Sequence, residues 1–202
     1  MASIRVRAAG ADDVDAASAV LADAFADYAW TRWTVASDGH RARIEALQRL
    51  MIEQIAVPYG EVWVAEDGRG VAGAAIWMLP TSSVPLHVRQ TTASVQAELE
   101  GDRHDASVAA EAACVPLRPT QPHYYLGAVG TRSNRRREGL GRAVLEPVLD
   151  RARADGVIVF LETSDRANVA FYEGLDFSVT GEVDLPGGGP HVWAMVRGLH
   201  PG

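Results

Sequence analysis

The feature that most restricts the fold of this sequence is a strand–helix–strand run between residues 124 and 161. Residues 124–129 are apolar and strand-like, and residues 139–154 carry apolar side chains at helical spacing. Residues 157–161 form a run of apolar and β-branched residues, which suits a fully buried parallel strand. The run therefore predicts a parallel strand pair connected by an amphipathic helix.

Further elements precede and follow this run, and they come in a mixed order. Alternation predicts a strand at residues 4–8, while helical spacing predicts helices at 14–28, 40–55, 84–113 and 168–173. Strands are predicted at 62–65 and 71–78, which form a hairpin, and at 177–183 and 192–196. With no repeat and no linker, this order predicts one α/β (α+β) domain, residues 1–202, with a mixed central sheet and helices on both faces.

The bulk composition disfavours several classes of protein. The net charge of -7 over 202 residues disfavours nucleic-acid binding. No apolar run is long enough for a membrane span, and the start MASIRVRAAGADD lacks the apolar stretch of a secretory signal. Cys114 is the only cysteine, so a structural role, no internal disulfide and a cytoplasmic location are expected, for a monomer or homodimer.

An arginine- and glycine-rich loop, RRREGLGR at residues 135–142, stands between the first of the two strands and the helix. A helix start leaves backbone N–H groups unpaired and carries partial positive charge. Gly139 and Gly141 remove side chains where a phosphate would approach, and arginines supply forked donors for phosphate oxygens. The loop predicts a phosphate site; a solvated arginine run before flexible glycines is the alternative interpretation.

Two common phosphate loops do not fit these residues. A Walker loop needs Gly-Lys followed by Ser or Thr, which is absent here. A dinucleotide fingerprint needs a third glycine, where Val144 stands, and usually follows the first strand of its domain. The remaining pattern is Q/R-x-x-G-x-G/A, met by Arg136, Gly139 and Gly141, and alone it is weakly specific.

Several longer segments resemble one enzyme family. They are LADAFADYAWTRWTV from Leu21, EVWVAEDG from Glu61, AVGTRSNRRREGLGRAVL from Ala128 and FLETSDRANVAFYEGLDF from Phe160. Together they resemble the GCN5-related N-acetyltransferase (GNAT) family, and within it puromycin N-acetyltransferase and its relatives. The resemblance runs almost from end to end of the chain.

The resemblance implies acetyl-coenzyme A (acetyl-CoA) as cofactor and a sheet that splays open between the strands ending near Val129 and Leu161. The pantetheine arm would pair with the backbone of Ala128, Val129, Gly130 and Thr131. The pyrophosphate would lie on a segment contributed by Arg136, Arg137, Glu138, Gly139, Leu140, Gly141 and Arg142. Asn168 matches the family's asparagine that contacts the arm, and Tyr172 matches its tyrosine near the thioester sulfur.

Three residues depart from the family's usual pattern. Ser133 stands where proline is frequent, which makes that loop less rigid, and Arg137 stands where glycine is common. Asp176 replaces a glycine before Phe177, and aspartate tolerates the left-handed backbone better than most residues. The core of the pattern is intact.

Acetyl transfer to an amine requires deprotonation of the amine, stabilisation of the oxyanion and protonation of the departing thiolate. The resemblance makes Tyr172 the candidate general acid, with a packed aromatic as the alternative, and backbone N–H groups near Val129 could serve the oxyanion. Four side chains are possible bases: Glu66, Asp67, Glu162 and His123. Because the histidines are scattered, no metal site is expected: His40, His87, His104, His123, His191 and His200.

Aromatic residues are candidates for an acceptor pocket, each with a core role as the alternative: Tyr28, Trp30, Trp33, Trp77 and Tyr124. The expected function is N-acetylation of a small-molecule amine, such as an aminonucleoside antibiotic. A protein or peptide N-acetyltransferase and a non-catalytic acetyl-CoA sensor are the alternatives. A closed aromatic pocket would favour the first, and an open groove would favour a peptide acceptor.

Overall fold

The computed structural model describes residues 4–198, and seven strands of this part of the chain form one sheet. The strands are β1 (Arg5–Ala8), β2 (Glu61–Asp67), β3 (Gly70–Met78), β4 (Tyr124–Thr131), β5 (Val159–Thr163), β6 (Phe177–Asp184) and β7 (His191–Arg197). Their order in the sheet is β1-β2-β3-β4-β5-β7-β6. All neighbouring strands are antiparallel except β4 and β5, which are parallel. The predicted mixed sheet, with its parallel pair and both hairpins, is confirmed.

Eight α-helices surround the sheet over the described residues. They are α1 (Val14–Phe25), α2 (Ala29–Thr34), α3 (His40–Met51), α4 (Val57–Tyr59), α5 (Leu86–Glu100), α6 (His104–Cys114), α7 (Leu140–Asp155) and α8 (Arg166–Glu173). A π-helical turn, Ile52–Ala56, connects α3 to α4.

Two predicted helices are divided in the structure. The helix expected at residues 14–28 ends at Phe25, because the extended backbone of Tyr28 starts a separate helix, α2. The segment expected to be helical at 84–113 is two helices, since Gly101 has a backbone (φ 62, ψ -132) that no α-helix contains.

Two main apolar cores lie on opposite faces of the sheet. On one face α7 buries Leu140 and Val144, and on the other α1 buries Leu21 against Val64 and Ile76. Each such buried side chain contributes roughly 1.5–3 kcal/mol. The start of α7 is therefore held firmly by its own apolar face.

Helix α1 packs unusually close to β4. A Cβ on Gly130 would lie 2.5 Å from the Cβ of Ala24, so only glycine fits there. Asp176, which stands where the family usually has glycine, has φ 65, a left-handed conformation that aspartate tolerates better than most residues.

Candidate active site

The parallel strands β4 and β5 pair only at their beginnings. Tyr124 lies opposite Val159, and the last paired residues are Leu126 and Leu161. From there β4 keeps its partner β3 up to Thr131, while β5 continues beside β7. The predicted splay is confirmed, and it leaves backbone groups of residues 128–131 unpaired on the side that faces away from β3.

A β-bulge lies where the splay begins. Ile76 faces Ala128 and Trp77 faces Leu126, so Gly127 has no counterpart on β3. An extra residue of this kind bends its strand and increases the local twist. The bulge thus turns the end of β4 away from β5.

The first turn of α7 is open to solvent. Gly139 is the N-cap with φ 80, and no atom lies within 4 Å of where its Cβ would be. Helical bonding begins with the Ala143 amide, which donates to the Gly139 carbonyl at 2.9 Å. The Leu140 side chain is buried in the core, so it does not cover the amides before it. This helix mouth can receive an anion.

The arginines beside the mouth have different roles. Arg135 points inward and its guanidinium binds Asp67 at 2.9 Å and Glu138 at 2.7 Å. These ion pairs brace the loop. Because the Glu138 carboxylate is engaged by Arg135, Glu138 can offer a ligand its backbone but not its side chain. Arg136 and Arg137 are exposed and can swing toward a phosphate.

Two further features complete this mouth. Arg142 is exposed and its guanidinium contacts Glu146 on the next turn at 3.2 Å. Arg137 has φ 65, a left-handed backbone that is natural for the glycine frequent at this position and costs roughly 1–2 kcal/mol for another residue. The loop keeps the glycine-like shape without the glycine.

A cavity of about 590 Å³ extends from the splay to α2, α5 and α6; we call it the main cavity. Seven of the residues singled out in the sequence line it: Tyr28, Trp30, Ala128, Val129, Glu162, Asn168 and Tyr172. Gly127 lines it too, so residues 127–129 of β4 form part of its wall. The main cavity therefore joins the free edge of β4 to a chamber with aromatic walls.

Tyr172 comes from α8 and is only 6% exposed. Its ring lies edge-on to Phe171 at 5.2 Å and to Phe177 at 5.7 Å. Burial, with a smaller contribution from Tyr28, raises its pKa, and no hydrogen bond contributes to that shift. The hydroxyl is thus held protonated beside the cavity.

A small hydrogen-bond network supports the same end of the main cavity. The Ser164 amide donates to the Tyr28 hydroxyl at 2.6 Å, and that hydroxyl also bonds Thr163 Oγ1 at 3.0 Å. Asn168 donates to the same Thr163 oxygen at 3.3 Å. The network ties the start of α2 and α8 to the end of β5, where the strands separate.

Comparison with known proteins now decides the family. The acetyltransferase (GNAT) family model matches residues 23–177, from α1 to the first residue of β6. The chain belongs to this family. It is an acetyl-CoA-dependent N-acetyltransferase, as the members of this family are.

Solved structures agree with this acetyltransferase in fold. A protein described as histone acetyltransferase HPA2 and related acetyltransferase, from Corynebacterium glutamicum, has a TM-score of 0.70 and 24% identity over 100% of this chain and 99% of that one. The Drosophila melanogaster polyamine N-acetyltransferase has a TM-score of 0.62 and 18% identity over 98% of this chain and 100% of that one. The Escherichia coli ribosomal-protein-S18-alanine N-acetyltransferase has a TM-score of 0.57 and 17% identity over 96% of this chain and 93% of that one.

Three aromatic residues expected in an acceptor pocket lie elsewhere in the acetyltransferase. Trp77 is fully buried in the core under α7, and Tyr124 lies in that core with its hydroxyl donating to Asp155 at 2.6 Å. Trp33 packs under the 186–190 turn, with the Arg103 guanidinium 4.4 Å above its ring. None of the three is among the residues that line the main cavity, so the structure gives them no support as acceptor contacts.

The residue next to Tyr124 takes the place expected for it. Tyr125 lines the main cavity, its ring stacks on Phe160 at 5.8 Å, and its hydroxyl donates to Glu162 at 3.1 Å. Side chains alternate along a strand, so neighbouring tyrosines face opposite sides of the sheet. The alternation was visible in the sequence, but the side with the cavity was not.

Of the four possible bases, only Glu162 lines the main cavity. Burial is the main cause of the raised pKa of Glu162, and Arg118, 3.2 Å away, opposes the shift. Asp67, by contrast, has a pKa of about 2, because it accepts hydrogen bonds from the amide and side chain of Arg69 and from Arg135. Glu162 is therefore the carboxylate that remains a candidate.

The other two possible bases are used in structural contacts. Glu66 accepts from Arg7 on the neighbouring strand at 2.9 Å. His123 pairs through Nδ1 with the Gln121 carbonyl at 2.8 Å and packs edge-on against Phe160. Neither lines the main cavity.

No sequence pattern indicated that α5 contributes a carboxylate to the site. Glu100 is 3% exposed, lines the main cavity and interacts with Gln96, Ser107 and His104 at 2.6–2.7 Å. Its neighbourhood depends on how α5 meets α6 and α2, which is a long-range relationship. A helical pattern alone cannot reveal it.

Cys114 is fully buried at the end of α6. Burial, with smaller contributions from Glu162 and Glu111, raises the pKa of its thiol to about 12. The thiol is therefore protonated at neutral pH, which fits a structural role.

The part of the chain that the structure describes has neither a membrane-spanning helix nor a cluster of metal ligands. Within residues 4–198, no helix is long and apolar enough to cross a membrane. The same part of the chain holds no group of three or more potential metal ligands, and His200 lies outside it.

Proposed function

We propose that this acetyltransferase moves an acetyl group from acetyl-CoA to a primary amine of a small molecule. The observation that carries the proposal is the main cavity beside the splay. Gln96 and Glu100 of α5 and Glu111 of α6 line it, so these helices contribute part of its wall. Its volume of about 590 Å³ suits a drug-sized ligand better than an extended peptide.

The residues near the splay fit acetyl-CoA. The uncapped first turn of α7 and the exposed Arg136 and Arg137 offer amides and guanidinium groups to a diphosphate. The free edge of β4 at residues 128–131 offers backbone groups to the amides of the pantetheine arm. Asn168 adds a side-chain amide on the opposite wall. When bound, acetyl-CoA supplies an activated thioester.

The chain's own groups would then handle protons and charge. Tyr172 holds a proton on its hydroxyl at neutral pH, so it can act as the general acid. Unpaired N–H groups near Val129 can stabilise negative charge on the acetyl oxygen. Glu162, directly or through water, can accept the proton of the amine.

The charges of the main cavity favour a cationic acceptor. Glu100, Glu111 and Glu162 line it, whereas Arg118 is the single lysine or arginine among the lining residues that the structure describes. Tyr28 and Trp30 add aromatic faces that attract cations and flat rings. An amine antibiotic of the aminonucleoside type would meet both conditions, and acetylation would remove its charge and its nucleophile.

A free-thiol assay tests the proposal. The enzyme and acetyl-CoA are incubated with agmatine, phenylalkylamines, puromycin and an alanine-starting peptide, and thiol release is followed spectrophotometrically. We expect release that depends on a small amine and is absent from the Gly139→Asp variant. Release with the peptide alone would support a protein acceptor, and no release with acetyl-CoA still bound would support a sensor.

A further inference from the structure

A second cavity of about 470 Å³ adjoins the main cavity; we call it the side cavity. It lies where the end of β3 meets the loop of residues 118–123 that leads into β4. Met78, Arg118 and Tyr125 line both cavities, so the two cavities meet at these three residues. None of the roles described above uses the rest of the side cavity.

Most of the side chains that line the side cavity are uncharged, and two of them, Tyr125 and His123, are flat aromatic rings. Pro80, Pro119, Pro122 and Leu79 add apolar surface. Aromatic rings of this kind offer faces that suit a planar apolar group. The chemistry differs from that of the main cavity, where carboxylates gather.

The one arginine where the two cavities meet does not offer a free charge. The Arg118 guanidinium binds Glu111 at 2.8 Å and Glu162 at 3.2 Å. Both carboxylates line the main cavity and hold the charge toward it. The side cavity is therefore a poor site for an anion.

Tyr125 gives the two cavities a common wall. Its ring stacks on Phe160 and its hydroxyl is fixed by Glu162, so the wall is rigid. Thr120 and Gln121, at the outer side, are exposed. A long molecule that lies along Tyr125 could thus occupy both cavities and leave its tail near solvent.

We propose that the side cavity is a distal subsite that takes the flat, uncharged end of an elongated amine whose amino group lies near Tyr172. The inference rests on the proposed function, because the occupant is the acceptor itself. Continuity through the three shared residues is the reason for choosing the acceptor over an unrelated ligand.

A filling substitution tests the subsite. Thr120→Trp places a large ring in the side cavity from an exposed loop position, so the fold should survive. Gln90→Trp, at an exposed position of α5, is the matched control. kcat/KM is measured for phenylalkylamines from benzylamine to 6-phenylhexylamine and for alkylamines of the same chain lengths.

We expect the parent to favour the longer phenylalkylamines. In Thr120→Trp the ratio of kcat/KM for the longer phenylalkylamines to that for the matched alkylamines should fall at least about tenfold. The free energy gained by burying an aromatic ring is large enough for a change of this size. Gln90→Trp should keep the parent's ratio. An equal effect on both amine series, or none, would overturn the subsite.

A binding measurement separates the subsite from the proposed function. Calorimetry without acetyl-CoA measures the affinity of 6-phenylhexylamine for the parent and for Thr120→Trp. If no amine is acetylated but Thr120→Trp binds this probe at least about tenfold more weakly, the function fails and the subsite stands. If the parent binds it no better than hexylamine, the subsite is overturned even when short amines are acetylated.

Discussion

The Ser133 amide donates a hydrogen bond of 2.6 Å to the carboxylate of Asp23. This hydrogen bond ties α1 to the start of the loop that leads to the helix mouth. It is also the main cause of the lowered pKa of Asp23. A proline at position 133, frequent in related sequences, has no N–H and could not donate it. The hydrogen bond therefore restrains a loop that lacks the stiffer residue.

Removing the Asp23 carboxylate should loosen that loop. We expect Asp23→Ala to lose about 1.5–3 kcal/mol of unfolding free energy, as for a hydrogen bond to a charged group. It should also raise the Kd for CoA several-fold. Denaturant titration and calorimetry measure the two effects. Asp15→Ala, an exposed aspartate of the same helix that pairs with Arg49, is the control, and equal CoA affinity in both variants would contradict the prediction.

The fold was predictable because its signals are local. The glycine-rich helix start, the apolar strand of residues 159–161 and the hairpin turn at 67–70 each follow from residues that are neighbours in the sequence. The splay itself came from the family resemblance, since no local pattern says where two parallel strands separate. The sequence missed the break at Gly101, because a single glycine inside a helical pattern is often tolerated.

The candidate site was only partly predictable, for a physical reason. Tyr124 and Tyr125 are equivalent in composition, and the difference between them is which face of the sheet the other helices leave open. The cavity lies on the face of Tyr125, where α5 and α6 also line it, and both helices are distant from the tyrosines in the sequence. The places of Trp77 and Trp33 could not be predicted for the same reason, since tryptophan occurs in cores as well as in binding sites.

Tyr172→Phe should separate chemistry from binding. The variant keeps the ring that packs on Phe171 and Phe177, and the hydroxyl it loses contributes no hydrogen bond to the fold. We expect kcat to fall about 10²-fold or more, the usual value of a general acid. The Kd for CoA and the melting temperature should stay close to those of the parent. Unchanged turnover would remove Tyr172 from the acid role.

Gly139→Asp should block the helix mouth electrostatically. A Cβ at Gly139 meets no atom within 4 Å, so the fold has room for the side chain. The matched control is Gly139→Asn, because asparagine has the same size and also tolerates the left-handed backbone. By calorimetry, the aspartate variant should bind CoA at least about tenfold more weakly than the asparagine variant, since its carboxylate lies against the diphosphate. Equal affinities would show that no phosphate binds at this turn.

The pH dependence should report on Glu162. A general base works only when deprotonated, and burial raises the pKa of this carboxyl above its usual value. Activity should therefore be full above the raised pKa and fall as the pH drops through it, at a higher pH than an exposed glutamate would give. Glu162→Gln should lower kcat/KM about 10²-fold or more and abolish this acid limb.

The control for Glu162 is Glu111→Gln. Glu111 is the other partner of Arg118, at 2.8 Å, but its side chain is 50% exposed. This variant should keep the acid limb of the pH–rate profile. An acid limb that persists in Glu162→Gln at the same pH would assign the base to another group.

Arg137→Gly should stabilise the free enzyme. Arg137 has φ 65, which costs a residue with a side chain roughly 1–2 kcal/mol. Glycine avoids that cost, which exceeds the about 0.5–1 kcal/mol that its greater freedom in the unfolded chain takes away. The matched variant is Arg136→Gly: it removes the same charge, but position 136 has φ -64, where glycine only adds freedom to the unfolded chain and costs about 0.5–1 kcal/mol. In denaturant titration Arg137→Gly should therefore unfold at a higher concentration than the parent, and Arg136→Gly at a lower one. If the two variants change stability in the same direction, the left-handed backbone at Arg137 carries no strain.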